Sequence, residues 1–554
     1  MKHSFKVCFF FRRRFRANVS EAPEDVKMMF DEYSENGTMN IEQLQKFLKD
    51  VQGEGRKKAQ AIFNNFKHLN FFQRRGLHLE EFFSYLLDQD LNHALSPSHG
   101  DNQDMTAPLS HYYIFTGHNS YLTGNQLSSD SSETPIIRAL KKGVRAIELD
   151  LWPNSKKDGI HVRHGGTLTA PVELNKCLKA IKDHAFTASE YPVVITFEDH
   201  LTHDLRQDVA EMLNSTFRDI LYVPKRGEDV HQFPSPELLK GKILISTKPP
   251  ERRTKEKPPA DDQSANSQDD IDEEYLEMLD KDEDIAIPEY ESLIAIRAKK
   301  MKRGSDLQTF FNDVEKVSRV SLSERELVDV VSKYKHEIIS FTQESLLRVY
   351  PKGLRVDSSN YDPMLAWNHG AQMVAFNMQR NDKHLWIMEG MFRGNNGCGY
   401  IKKPEFLLNN PSNSRSLSAT RINGLKIKVY MGEGWNLDFR RTHFDFYSPP
   451  DLYVKIKMVG VENDKARNKT IPIEDQWVPV WNEEFSFSIS TPELAFLQII
   501  VRDYDTSGKD DFAGQTCLPV KDLRSGIRAV PLYNKRGERY KHVKLLMGFE
   551  LQFE

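Results

Sequence analysis

The chain has 554 residues and a mass of 64.2 kDa, a length that suggests about four domains. Lys and Arg number 76 against 80 Asp and Glu, a net charge of −4, which excludes a globally basic nucleic-acid binder. Mean hydropathy is −0.58, no run approaches the roughly 18 apolar residues of a membrane span, and the four cysteines (Cys8, Cys177, Cys398, Cys517) lie far apart, so a reducing compartment is expected over a disulfide framework.

Residues 1–19 interleave Lys2, Lys6, Arg12, Arg13, Arg14 and Arg16 with Phe5, Phe9, Phe10, Phe11 and Phe15. The apolar stretch is short and the arginines follow it, so it does not read as a signal peptide. Basic residues attract anionic lipid and aromatic rings favour the membrane interface. The alternative is a tail whose phenylalanines dock on a neighbouring domain.

Residues 20–95 carry helical spacing at Val26, Met29 and Phe30 and again at Leu44, Phe47 and Leu48. Between them, Glu32 to Gln43 resembles an EF-hand loop with Gly37 sixth and Gln43 twelfth. Calcium loops need a bidentate Glu at position twelve, so weak calcium binding is expected. A second loop around Gly76 precedes Glu80-Glu81-Phe82-Phe83 and lacks acidic ligands. The expectation is a helical EF-hand-like support.

Residues 104–250 and 314–405 carry the chemistry. The stretch 251–313 between them is predicted to be a disordered linker: from Asp261 to Asp284, 12 of 24 residues are acidic. It is a spacer, or a plug that repels anionic membrane or covers a basic site. Residues 420–554 alternate apolar and polar, as in Leu452, Val454, Ile456 and Met458 and in Phe485, Phe487 and Ile489, which predicts an antiparallel β-sandwich.

Glu148 and Asp150 lie two apart in the run Ala146–Trp152, so a strand would set both carboxylates on one face. They would repel, and a cation is the usual remedy. Glu198 ends the apolar run Val193–Phe197, and active-site groups at strand ends fit a β/α barrel. Asn119, Glu148, Asp150 and Glu198 offer only oxygen, which suits calcium or magnesium better than zinc. His118 and His164 offer acid–base groups titrating near neutrality.

These motifs together resemble phosphoinositide-specific phospholipase C. Pro108-Leu109-Ser110-His111-Tyr112 through Leu201 is similar to the family's X half-barrel. Ser321 through Pro404, with Tyr350-Pro351, Asp357-Ser358-Ser359-Asn360-Tyr361, Trp367-Asn368 and Gly397-Cys398-Gly399-Tyr400, is similar to the Y half. The short layout resembles the plant type. The resemblance implies a multidomain α+β protein: an EF-hand-like helical pair, a split (β/α) TIM-type barrel and a C-terminal C2 β-sandwich. It implies attack of the inositol 2-hydroxyl on the 1-phosphate, release of diacylglycerol, and opening of the cyclic phosphate by water. Asn119, Glu148, Asp150 and Glu198 match the calcium ligands. His118 would donate to the phosphorane, and His164 would protonate the diacylglycerol oxygen and then act as base. Glu148 or Asp150 would take the 2-hydroxyl proton. Lys248, Ser321, Arg348 and Tyr350 match headgroup contacts. The family places two lysines after the strand here written Lys242-Ile243-Leu244-Ile245, and this chain has Ser246 and Lys248, so one lysine is missing. A bisphosphate headgroup is expected, with a monophosphate open.

The resemblance also sets Leu127, Leu168 and Leu354 in loops at the site's mouth, where they would dip into lipid or join the core. Asp445, Asp451, Asp503, Asp505 and Asp511, beside Asp510, resemble C2 calcium loops that bridge to anionic lipid. The expected partners are an anionic phosphoinositide membrane and the inositol lipid substrate, at the cytoplasmic face of the plasma membrane and partly in the cytosol. Rival readings are a glycerophosphodiester phosphodiesterase and an inactive phosphoinositide-binding scaffold.

Overall fold

The computed structural model describes residues 2–6, 12–16, 20–66, 76–96, 104–225, 231–250, 288–299, 317–409, 422–440, 442–444, 448–506 and 508–554. The chain divides into two compact units: residues 1–99 with 416–554, and residues 100–415. Phe9, Phe10, Phe11, Asp445 and the acidic run Asp261–Asp284 lie outside the described residues, as does the loop that precedes Gly76.

Unit 100–415 is a closed barrel. Its strands are β1 (Thr116–Gly117), β2 (Ala146–Pro153), β3 (Val193–Asp199), β4 (Ile243–Thr247), β5 (Ile294–Lys299), β6 (Arg319–Ser323), β7 (Leu346–Tyr350) and β8 (Met373–Phe376). Each pairs in parallel with the next, and β8 and β2 both pair with β1, which closes the ring. Helices such as Glu133–Lys141, Leu174–His184 and Glu324–Glu344 cover the outside. Both faces of each strand are therefore covered, and the strands read as buried runs rather than half-exposed ones. On β2, alternation sends Ile147 and Leu149 one way and Glu148 and Asp150 the other. Register pairs Glu148 with Thr196 and Thr196 with Ser246, and Ser321 with Arg348. These rows share the face of β2 that carries Glu148, which is the lumen.

One expectation needs correction. The stretch 251–313 is not all linker: Ile294–Lys299 is β5, and it pairs with β4 on one side and β6 on the other. Its apolar signal is only Ile294-Ala295-Ile296, and the basic residues after it read as solvated. The ring of strands supplies the burial that this short run cannot signal alone.

In the other unit, helices Glu24–Tyr33 and Ile41–Asp50 bury Val26 and Phe30, and Leu44, Phe47 and Leu48. Met39 and Leu77 exchange backbone hydrogen bonds at 2.8 Å and tie the two loops together. Gln43 is engaged in the cap of its own helix. Its Oε1 accepts from the Asn40 amide at 2.8 Å, and Asn40 Oδ1 accepts from the amides of Glu42 and Gln43, which makes a capping box. The C-terminal part has two four-stranded antiparallel layers, joined among the described residues through the pair Gln515–Tyr533. They close on one core that includes Leu425, Val454, Leu497, Trp435 and Leu545. The helices are fastened to this sandwich. Gln52 Oε1 accepts from the Ile527 amide at 2.7 Å and its Nε2 donates to the Ile527 carbonyl at 2.8 Å. At the N-terminus the backbone of Lys2–Lys6 pairs antiparallel with Arg12–Arg16.

Candidate active site

β2 and β3 bring three carboxylates together. One oxygen from each of Glu148, Asp150 and Glu198 lies within 4.8 Å of the others, and no second His/Cys/Asp/Glu group of this kind occurs among the described residues. Glu148 and Asp150 are buried, while Glu198 is exposed at the strand end. Asn119 follows β1 with φ of 41°, a left-handed conformation that Asn tolerates better than most side chains. That turn aims its backbone N–H at Glu148 Oε2, 2.9 Å away. Its Nδ2 donates to Gln126 Oε1 at 2.9 Å, so its oxygen is the end left for a cation.

The electrostatics fit a hard divalent ion. Burial, then Glu198 and Glu148, push the Asp150 carboxyl well above its ordinary range, although the Tyr121 hydroxyl donates to its Oδ2 at 2.6 Å. Asp150 Oδ1 is buried with no hydrogen-bond partner. An all-oxygen set with an orphaned buried carboxylate oxygen suits calcium or magnesium. Burial alone would raise Glu148 too, but the Arg348 guanidinium, then His118 and the Asn119 amide, hold it below its usual value.

The two histidines are anchored through Nδ1. His118 Nδ1 meets Asn377 Oδ1 at 3.0 Å, and His164 Nδ1 meets the Gln126 carbonyl at 2.8 Å. A carbonyl can only accept, so both rings carry their proton on Nδ1 and turn Nε2 away from the anchor. Burial lowers His118 to about 4, with Glu148 opposing and Arg348 assisting. Gln126 joins the group: its Nε2 donates to Asn377 Oδ1 at 3.0 Å and to Ser358 Oγ at 2.8 Å. One glutamine thus holds Asn119 directly, His164 through its carbonyl and His118 through Asn377.

The headgroup candidates divide. Ser321 and Arg348 are register neighbours on β6 and β7. Arg348 is buried, and its guanidinium forms an ion pair with Glu148 and lies 5.3 Å from the centre of the Tyr350 ring. Lys248 is exposed just past β4. Leu168 and Leu354 are 87% and 84% exposed. The Leu168 amide donates to the Leu127 carbonyl and the Gln126 amide to the Val356 carbonyl, each at 2.9 Å, so three apolar loops meet beside the histidines. These leucines are not core.

The C2 acids are less assembled. Asp503 is buried, and its Oδ1 accepts from the Asp451 amide at 2.6 Å. Asp451 Oδ1 accepts from the Asp475 amide at 2.8 Å, and Asp511 stands opposite Asp503 in the strand register. Asp510 is held by the Tyr453 hydroxyl and Lys455.

Sequence reading missed Gln126, Asn377 and Arg319. Asn377 directly follows β8, so the strand-end rule that found Glu198 would have found it. A glutamine in a loop carries no comparable signal.

Fold and site define a barrel enzyme with a carboxylate trio and two anchored imidazoles at one end of its strands. Residues 105–249 match the phosphatidylinositol-specific phospholipase C X domain, 292–406 the Y domain and 423–534 the C2 domain. The chain is 51% identical to phosphoinositide phospholipase C 2 of Arabidopsis thaliana, covering 99% of each chain. It is 31% identical to human 1-phosphatidylinositol 4,5-bisphosphate phosphodiesterase delta-1, over 95% of this chain and 72% of that one. The crystal structure of PLC21 from S. officinalis superposes with a TM-score of 0.79 at 25% identity, over 96% of this chain and 69% of that one. The chain belongs to the phosphoinositide-specific phospholipase C family and is an enzyme that hydrolyses phosphoinositides. Among the described residues no helix is long and apolar enough to cross a membrane.

Proposed function

We propose that the protein is a calcium-dependent phospholipase C that cleaves phosphatidylinositol 4,5-bisphosphate to diacylglycerol and a soluble inositol phosphate through a 1,2-cyclic phosphate. The observation that carries this is the convergence of Glu148, Asp150 and Glu198 with two Nδ1-anchored histidines at one end of the barrel. Asn119, Glu148, Asp150 and Glu198 would hold the ion. When bound, calcium would lower the pKa of the inositol 2-hydroxyl and stabilise negative charge on the phosphoryl oxygens.

The residues divide the remaining work. Glu148 or Asp150 takes the 2-hydroxyl proton. His118 is neutral before substrate arrives, and the incoming phosphodiester charge favours its second proton. Its Nε2 hydrogen bond to a phosphoryl oxygen therefore strengthens as charge builds, which is what lowers a barrier. His164 enters the step protonated on both nitrogens; its Nε2 proton passes to the leaving diacylglycerol oxygen, and the neutral ring then accepts a proton from the water that opens the cyclic phosphate while the carboxylate returns its proton to the 2-oxygen. Arg348, Ser321, Tyr350 and Lys248 meet the headgroup. Leu127, Leu168 and Leu354 enter the lipid. Asp451, Asp503, Asp505 and Asp511 of the C2 sandwich support calcium-driven docking on anionic membrane, at the cytoplasmic face of the plasma membrane.

The test is a calcium titration of hydrolysis on vesicles of phosphatidylinositol and its mono- and bisphosphates. Turnover should vanish in chelator, return with calcium and be highest on the bisphosphate. A rate indifferent to calcium would reject the proposed ion.

A further inference from the structure

Among the described residues, the lumen holds a charged side chain that neither the cation set nor the family's headgroup contacts employ. Arg319 begins β6, two residues before Ser321 and on the same strand face. Register places Ala298 on one side of it and Leu346 on the other. It is only 5% exposed, yet its Nε and Nη1 have no hydrogen-bond partner. It forms no ion pair among the described residues. The carboxylate that could neutralise it, Glu148, is already engaged by Arg348. Burial, and then the nearby Arg348 charge, lower its pKa to about 9, while Glu148 and Glu198 pull the other way. It therefore remains protonated at neutral pH and shares the field of the carboxylate site.

A buried guanidinium with two unpartnered nitrogens and no ion pair is costly, and one set on the lumen face near the carboxylate site is explained by an anion it will receive. The lumen also has a matching deficit. On β4, where the family resemblance leads one to expect lysine, stands Ser246, fully buried with an unpartnered hydroxyl. Only β5 separates β4 from β6. Ser246 lies in the register row of Glu148 and Thr196, so it faces the same lumen as Arg319.

We propose that Arg319 is a specificity residue of this enzyme: its guanidinium binds a monoester phosphate on the inositol ring and supplies from β6 the positive charge that Ser246 no longer supplies from β4. The inference rests on the phosphoinositide reading above and deepens it. A planar fork suits a phosphate dianion and gives nothing to an unphosphorylated ring hydroxyl that water would not give. Arg319 should therefore matter more with each ring phosphate.

The experiment compares wild type, Arg319→Gln and Arg319→Lys on mixed micelles of phosphatidylinositol, its 4-phosphate and its 4,5-bisphosphate at saturating calcium. For Arg319→Gln, kcat/KM on the bisphosphate should fall about 10- to 100-fold, with phosphatidylinositol changed less than about threefold. Adding Ser246→Lys to Arg319→Gln should return part of the loss. Removing a buried charge could unfold the barrel, so Arg319→Lys is the second probe. It keeps the charge, loses the fork, and should lose severalfold on the bisphosphate only. In a variant with a wild-type unfolding transition, equal loss on all three lipids, or no loss on the bisphosphate, overturns the proposal. If wild type turns over none of the three lipids, the phosphoinositide reading itself fails, a result the variants cannot mimic.

Discussion

In the proposed mechanism the part played by His118 depends on a single hydrogen bond. Asn377 fixes its tautomer, and burial disfavours its charged form. His118→Gln should lower turnover by about 10²–10⁴-fold while vesicle binding persists, because the ring contributes to the reacting centre and not to docking. A normal hydrolysis rate on inositol lipid vesicles would refute that role. Asp150 makes a second prediction at this scale. Its folded pKa lies above the unfolded value of about 3.9. Between the two values the folded state holds a proton that the unfolded chain lacks, so the contribution to stability falls as pH rises through that window. In chelator, denaturation midpoints of wild type should decline from pH 4.5 to 7.5 more steeply than those of Asp150→Asn. Parallel curves would remove the strain assigned to the trio. Glu148 and Asp150 were legible because strand periodicity puts alternate side chains on one face. Arg319 was not, since an arginine at the start of a strand reads as ordinary surface charge until a closed ring shows which face is the lumen.

At the scale of elements, helices, strands and motif order could be read from the sequence, and partnerships could not. Nothing in Gln52 announces that its amide will imitate a strand partner for Ile527. Nothing in Glu54 shows that it will collect Lys58, Arg524 and Arg528 in a half-buried cluster. Burial would raise its carboxyl, but Lys58 and Arg528 hold it below the usual range. Glu54→Gln would leave the fully buried Arg528 without its counter-charge, a loss of about 3–5 kcal/mol. Denaturant unfolding followed at Trp435 in the sandwich and by helical circular dichroism should shift together. If only the helical signal moves, the hands and sandwich are not one cooperative unit. The C2 loops allow a separate prediction. Asp503→Asn with Asp505→Asn should weaken calcium-driven vesicle sedimentation and spare cleavage of a soluble substrate. Unaltered sedimentation would assign anchoring to another segment.

For the whole molecule, topology decides what the linker is allowed to be. β1 to β4 come from one half of the chain and β6 to β8 from the other, and β5 joins them by pairing with β4 and β6. The ring closes only when β8 meets β1, so neither half alone buries the lumen that carries Glu148 and Arg348. All eight strands of the ring lie among the described residues, and the acidic run Asp261–Asp284 ends in the sequence before β5 begins. A chain cut within it therefore keeps all eight strands, and strand pairing rather than covalent continuity should hold the halves together. Deleting Asp261–Asp284 should leave the barrel folded and cleavage of a soluble substrate unchanged. On anionic vesicles the two roles of the acidic charge separate. If the run repels the membrane, deletion raises basal hydrolysis, and added salt narrows the gap because surface repulsion is screened within about 10 Å at 0.1 M. Unchanged vesicle activity at every ionic strength reduces the run to a spacer. Loss of soluble activity would contradict the topology, since it would mean the ring needs residues that lie outside all eight strands.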